Sequence, residues 1–261
     1  MSNKIKELFL QQTKEQNIVF STGFRDLDNC IKNVKTGSLI TIGGRPAMGK
    51  TELTLSIVNH LIQNNKKVAY FNLNMSEDYF INRLIANKTN LPIKNIFERQ
   101  IELNSIISDL DFYENNNLEI INEYNLTIDK LEQKIGNSEL VVIDYIQLVK
   151  SDNLEIDIIQ ELKRIAIEKN IVIIVLSQIS RRVERRNNKY PLLAGLYCNK
   201  AISKISKNDN ITKLFIDTNS KWLKEFSDYP NIDLSEEKIS DDKDLYLTLC
   251  QHNKVHSSNI Y

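Results

Sequence analysis

The sequence predicts an α/β fold, with a mostly parallel central sheet and helices on both faces. Three observations carry this. Short, almost wholly apolar runs at residues 39–42, 68–73, 139–145 and 171–176 alternate with longer segments of helical period. Strands that alternate with helices pair in parallel, because each connecting helix crosses back over the sheet. The runs are apolar at nearly every position rather than at every second residue, as expected of strands covered on both faces. The polar residues that end these runs fall where ligands collect in such sheets, at the carboxyl ends of the strands.

Composition sets the bounds. The chain has 261 residues, enough for one large domain or two small ones, and 41% of them are apolar, enough for a substantial core. Lys+Arg and Asp+Glu are 34 each, so the net charge is zero. Binding to nucleic acid by bulk charge is thereby excluded, and any such contact needs a local patch. Cys30, Cys198 and Cys250 are odd in number and widely spaced. They form neither a zinc pattern nor a disulfide framework, which fits a reducing, cytoplasmic setting. The first sixteen residues hold no long apolar stretch of the signal-peptide kind, and no run approaches a membrane span.

Taken in order, residues 3–16 read as a short amphipathic helix with Ile5, Leu8 and Phe9 on its apolar stripe. A helix this short is marginal alone and must dock on its own body or a neighbour. We assign it to a separate N-terminal segment, 1–17, and the rest, 18–261, to one domain. Residues 21–28 read as a turn and a short helix leading to the first strand. That strand, 39–42, is broken by Gly43 and Gly44. A helix follows at Leu53, Ile57 and Leu61, then the strand 68–73 and a helix capped by Ser76 that runs to about Asn87. Beyond it we expect helices near 94–100, 102–112 and 126–135, a strand at 118–121, and Gly136 as a helix stop. The strand 139–145 ends in an acid. A periodic helix at 154–170 leads to the strand 171–176. Further strands are expected at 214–216 and 245–250, and the acidic, Pro-broken stretch 224–244 reads as an irregular surface insertion.

The stretch between the first strand and its helix carries the chemistry. Gly44, Arg45, Pro46, Ala47, Met48, Gly49, Lys50 and Thr51 fit G-x-x-x-x-G-K-[ST]. Strand before and helix after is the context that makes this match a phosphate-binding P-loop. Inward-turned backbone N–H groups need the angles that glycine tolerates, and the helix N-terminus adds unsatisfied donors. Lys50 is then the group for the β- and γ-phosphates of ATP, and Thr51 a ligand for Mg²⁺. Asp144 follows Val141, Val142 and Ile143, the placing of an acid that holds Mg²⁺ through its water shell. Gln178 ends the next strand. Its amide either senses the γ-phosphate and attacking water or satisfies backbone at the loop. Gln147 is a weaker candidate of the same type. Arg181, Arg182, Arg185 and Arg186 crowd one segment, either tracking the phosphates of a nucleic-acid strand or forming a solvated basic loop.

These phrases resemble the motor domain of the DnaB family of replicative helicases. The resembling segments are STGFRDLD at 21–28, GGRPAMGKT at 43–51, VAYFNLNMS at 68–76, LVVIDYIQL at 140–148 and LKRIAIEKNIVIIVLSQISR at 162–181. The resemblance runs from about Thr22 to Arg186, with a faint continuation to residue 258. It implies a RecA-like P-loop core, a hexameric ring, ATP at subunit interfaces and single-stranded DNA in the central channel. The helix at 3–16 is similar to the family's linker helix, which docks on the adjacent subunit. The family's separate N-terminal helical domain has no counterpart in these residues.

Three departures qualify what the resemblance implies. The family has a Glu after its second strand, in a phrase like S-L-E-M, that activates the attacking water; Asn74 stands at that position. An amide cannot take the proton, so hydrolysis is expected to slow while binding persists. Glu77 lies one helical turn on. The family's acidic run after the proline at 191 is replaced by Gly195, Leu196, Tyr197, Cys198, Asn199 and Lys200. The family's K-N-R-N-G, whose Arg reaches the neighbouring subunit's γ-phosphate, aligns with His252, Asn253 and Lys254, which keeps charge but loses the planar fork. Two expectations result. One is an ATP-driven helicase motor that translocates on single-stranded DNA and unwinds duplex in DNA replication. The other is a hydrolysis-deficient paralogue that binds ATP and regulates, loads or caps an active helicase. The partner is either further copies of the chain or a related helicase subunit.

Overall fold

A computed structural model describes residues 20–25, 27–28, 34–46, 48–98, 107, 111–113, 117–150 and 158–179, with the backbone of 211–216 and 244–247. The described strands are β1 (Leu39–Gly44), β2 (Val68–Asn72), β3 (Leu118–Ile121), β4 (Leu140–Asp144), β5 (Val172–Gln178), β6 (Ile211–Ile216) and β7 (Asp244–Leu247). The helices are α1 (Lys50–Gln63), α2 (Glu77–Thr89), α3 (Ile93–Phe97), α4 (Ile128–Lys134) and α5 (Ile158–Glu168), with a 3₁₀ turn at Ile146–Leu148. The strands form one seven-stranded sheet in the order β3-β2-β4-β5-β1-β6-β7, and every pairing is parallel.

The apolar runs divide between two faces at a period of two. Val141, Ile143, Ile173 and Val175 point to one side, into a core with Leu131 of α4 and Leu162, Ile165 and Ala166 of α5. Leu140, Val142, Val172 and Ile174 point to the other, against Leu55, Ile57 and Val58 of α1 and Phe80 and Leu84 of α2. Alternate side chains thus enter opposite cores, and a strand apolar at each position follows. Thr41 of β1 departs from this pattern: its hydroxyl is buried without a hydrogen-bond partner among the described residues.

Helices α1 and α2 meet through a polar seam as well as through the core. Arg83 Nε donates to Glu52 Oε1 at 2.7 Å. Asn87 Nδ2 donates to Ser56 Oγ at 3.0 Å, and Asn59 Nδ2 donates to Asn87 Oδ1 at 2.8 Å. Tyr113 donates its hydroxyl to Asn59 Oδ1 at 2.7 Å. Successive turns of α1 thereby present Glu52, Ser56 and Asn59 to two turns of α2.

Several expected boundaries shift. Gly43 and Gly44 do not break β1 after Ile42: both stay in the sheet, opposite Ser177 and Gln178 of β5, and Gly44 is its last residue. Central parallel pairing on both edges holds them there. Pairing with Gly43 and Gly44 of β1, on one edge only, likewise carries β5 on through Ser177 to Gln178. Ser76 precedes α2 as expected, but its side chain makes no capping hydrogen bond, and α2 runs to Thr89. Gly136 takes the left-handed conformation, φ 56°, just after α4. Of the expected insertion at 224–244, Asp244 is instead the first residue of β7 and the remainder lies outside the described residues. The helix expected at 3–16 also lies outside them, as do most of 99–110 and the first part of the helix expected from 154. No helix among the described residues is long and apolar enough to cross a membrane.

Candidate nucleotide site

Sheet order assembles the site. β2, β4, β5 and β1 are four adjacent parallel strands, so their carboxyl ends lie side by side. Those ends carry the turn with Asn74, then Asp144, Gln178 and the glycine loop. Register fixes them further, since Asn72 pairs with Asp144 and Gly44 with Gln178.

The loop ends at Gly49, in the left-handed conformation (φ 83°) that favours glycine, and α1 begins at Lys50. The Lys50 side chain turns back under the loop. Its Nζ donates to the carbonyl oxygens of Gly44 and Arg45, both at 2.8 Å. Lys50 is only 8% exposed, and burial lowers its ammonium to about 8, with the Asp144 charge working the other way. One of its three N–H bonds has no partner among the described residues. A buried cation solvated by two neutral carbonyls fits an anion at this loop.

Asp144 is buried at the end of β4. Its Oδ2 accepts two hydroxyls, from Thr51 at 2.9 Å and from Tyr70 at 3.0 Å. Its Oδ1 takes no hydrogen bond from the described residues. Burial pushes its carboxyl above the usual range; the two hydroxyls and the charges of Lys50 and Arg83 pull it back. Hydroxyl and carboxylate oxygens side by side are the hard donors that Mg²⁺ takes, so the residues present fit that ion.

Residues 20–222 match the DnaB-like helicase C terminal domain family. The chain belongs to that family. It is 37% identical over 194 residues to a probable replicative DNA helicase of Guillardia theta, covering 67% of this chain and 32% of that one. It is 28% identical over 256 residues to the replicative DNA helicase DnaB of Helicobacter pylori strain 26695, covering 91% of this chain and 52% of that one. The chain therefore spans between a third and about half of the length of these relatives. In fold it is similar to a solved ATPase domain, with a TM-score of 0.67, 23% identity and coverage of 78% of this chain and 79% of that one. A DnaB-like replicative helicase studied with primase gives a TM-score of 0.65, 24% identity and coverage of 76% and 52%.

Against this DnaB-like domain the remaining expected residues fall as follows. Lys50, Thr51 and Asp144 come together: Thr51 and Asp144 share a hydrogen bond, and Lys50, held by the carbonyls of Gly44 and Arg45, feels the charge of Asp144. Arg45, Pro46, Met48 and Gly49 lie in the loop above them, and Ala47 lies outside the described residues. Gln178 ends β5 beside Gly44, half-buried, with no side-chain hydrogen bond among the described residues. Asn74 is exposed in the turn after β2, and Glu77 is exposed in the first turn of α2. Arg181, Arg182, Arg185, Arg186 and Lys254 lie outside the described residues.

Three residues gain roles that sequence reasoning did not give them. Gln147, the weaker candidate for sensing, clamps the end of β5. Its Nε2 donates to Ser177 Oγ at 3.2 Å and to Gln178 O at 3.0 Å, and its Oε1 accepts from Gln178 N at 3.4 Å. Asn72 anchors the turn that carries Asn74, donating from Nδ2 to Met75 O at 2.8 Å and to Asn122 Oδ1 at 2.6 Å. Tyr70 reaches Asp144 from inside β2. The available signal was a phenol within a run of otherwise apolar residues, because a buried tyrosine hydroxyl needs a partner.

Proposed function

We propose that this chain is the ATP-driven motor portion of a replicative-type helicase, acting on single-stranded DNA in DNA replication. The observation that carries the reading is the grouping of Lys50, which follows β1, with the hydrogen-bonded pair Thr51 and Asp144, the acid ending β4, the strand on the other side of β5. In this reading the backbone of 44–51 wraps the triphosphate and Lys50 takes the charge of the β- and γ-phosphates. Thr51 and Asp144 hold Mg²⁺, which when bound neutralises charge on the phosphate oxygens. Gln178 reads the γ-phosphate from the end of β5. Arg181, Arg182, Arg185 and Arg186 follow that strand in sequence and track the DNA backbone. Lys254 serves as a finger toward a neighbouring subunit, in a ring of like copies or with a related helicase subunit. The setting is cytoplasmic.

A second reading rests on Asn74. With an amide where the family resemblance implies a proton acceptor, the chain binds ATP without turning it over and serves an active helicase as regulator, loader or cap. One experiment separates the two. ATP binding and turnover are measured with and without single-stranded DNA for the unmodified chain, Asn74→Glu and Lys50→Ala. DNA-stimulated turnover by the unmodified chain supports the motor. Tight binding with negligible turnover, raised in Asn74→Glu, supports the second reading. Absence of ATP binding, or binding unaffected by Lys50→Ala, overturns both.

A further inference from the structure

Tyr70 belongs to neither the loop nor the strand ends, yet it touches the acid of the site. It lies in the middle of β2, fully buried, in register with Val142 of β4. Asp144 is two residues beyond Val142, so its side chain leaves β4 on the same face. The phenol hydroxyl donates to Asp144 Oδ2 at 3.0 Å. The ring is braced by Phe80 of α2, with centroids 4.6 Å apart and planes at 50°. A phenol held at one end by the sheet and along its face by an aromatic ring has little freedom to move.

The Thr51 hydroxyl donates to the same oxygen at 2.9 Å. Two donors on Oδ2 fix the rotation of the carboxylate and leave Oδ1 without a partner among the described residues. The two donors are not equivalent. Thr51 sits at the first turn of α1, next to the loop that must adapt to a ligand, whereas Tyr70 is set in the sheet and is independent of the loop. We propose that Tyr70 is a positioning residue for Mg²⁺ binding: its phenol holds Asp144 Oδ2 so that Oδ1 is presented to the water shell of the cation. This deepens the ATP–Mg²⁺ reading above and rests on it. Groups that orient a metal-facing carboxylate by hydrogen bonding typically change metal affinity by about 10–100-fold when removed.

The test uses the full chain and a fluorescent ATP analogue, first without divalent ion and then titrated with Mg²⁺. In Tyr70→Phe, which keeps the ring and its brace, the Mg²⁺ concentration at half-saturation is expected to rise about tenfold, while affinity for the analogue without Mg²⁺ stays as in the unmodified chain. A merely structural role would shift both in proportion, or neither. Phe80→Leu keeps the phenol and loosens its brace, and is expected to give a smaller rise in the same Mg²⁺ concentration. If Tyr70→Phe does not fold, Phe80→Leu decides alone. An unchanged Mg²⁺ half-saturation, or an equal loss with and without Mg²⁺, overturns the assignment of Tyr70. An unmodified chain that binds no analogue, or binds it with no response to Mg²⁺, overturns the ATP–Mg²⁺ reading itself.

Discussion

Raising pH should weaken ATP binding through Lys50 alone, and the size of the effect follows from its burial. The ammonium titrates near 8 in the folded chain because burial disfavours its charge. A triphosphate binds the charged form, so affinity falls as the proton is lost. Between pH 7.5 and 9.5 the protonated fraction drops about 25-fold, which corresponds to about 2 kcal/mol of binding free energy. ATP itself is fully ionised across this window and adds no slope. Stability without ligand should move the opposite way. The unfolded lysine titrates near 10.5 and the folded one near 8. The unfolded chain therefore binds more protons between these values, and stability rises with pH there, by about 3 kcal/mol when complete. The assay is equilibrium binding of a fluorescent ATP analogue at each pH, beside urea unfolding of the free protein. Lys50→Arg stays charged throughout, so any binding it retains should be flat over the same range. A flat profile for the unmodified chain, or the same slope in Lys50→Arg, would refute the argument.

Two further predictions concern the frame around the site. Thr41→Val removes a buried hydroxyl with no partner among the described residues and should stabilise the fold by about 1 kcal/mol, read as a higher urea midpoint; a lower midpoint would show that the hydroxyl is satisfied. Gln147→Leu removes the clamp on Ser177 and Gln178 and should cost about 1–3 kcal/mol in the same measurement, and unchanged stability would show that the clamp contributes nothing.

The central strands are legible in sequence because burial on both faces removes the need for polar residues. The expected bounds of β3, 118–121, match the structure to the residue, and those of β4 lie within one residue at each end. The glycine loop is legible because its backbone conformation restricts sequence, as the left-handed Gly49 illustrates. The end of β1 is not. Glycine reads as a breaker, yet hydrogen bonds from strands on both sides keep Gly43 and Gly44 extended. The run before Asp144 places it at a strand end, but nothing in that run hints that one of its oxygens carries both Thr51 and Tyr70. That pairing depends on which strands are neighbours, and β2 and β4 are far apart in sequence, with α2, α3, β3 and α4 between them. Gln147 and Gln178 look alike in sequence, two amides suited to sensing. Only the packing of the 3₁₀ turn on β5 distinguishes the residue that holds from the residue that is held.

The polar seam between α1 and α2 has a further consequence. Two helices joined by apolar contact alone can slide by a turn at modest cost, since one aliphatic surface resembles the next. Glu52, Ser56 and Asn59 meeting Arg83 and Asn87 behave like the teeth of a key: only one alignment engages them all. Because α1 starts at Lys50 and α2 follows the turn bearing Asn74, that alignment bears on the distance between Lys50 and residue 74. A carboxylate introduced at position 74 therefore inherits its reach toward the loop from teeth cut several turns away.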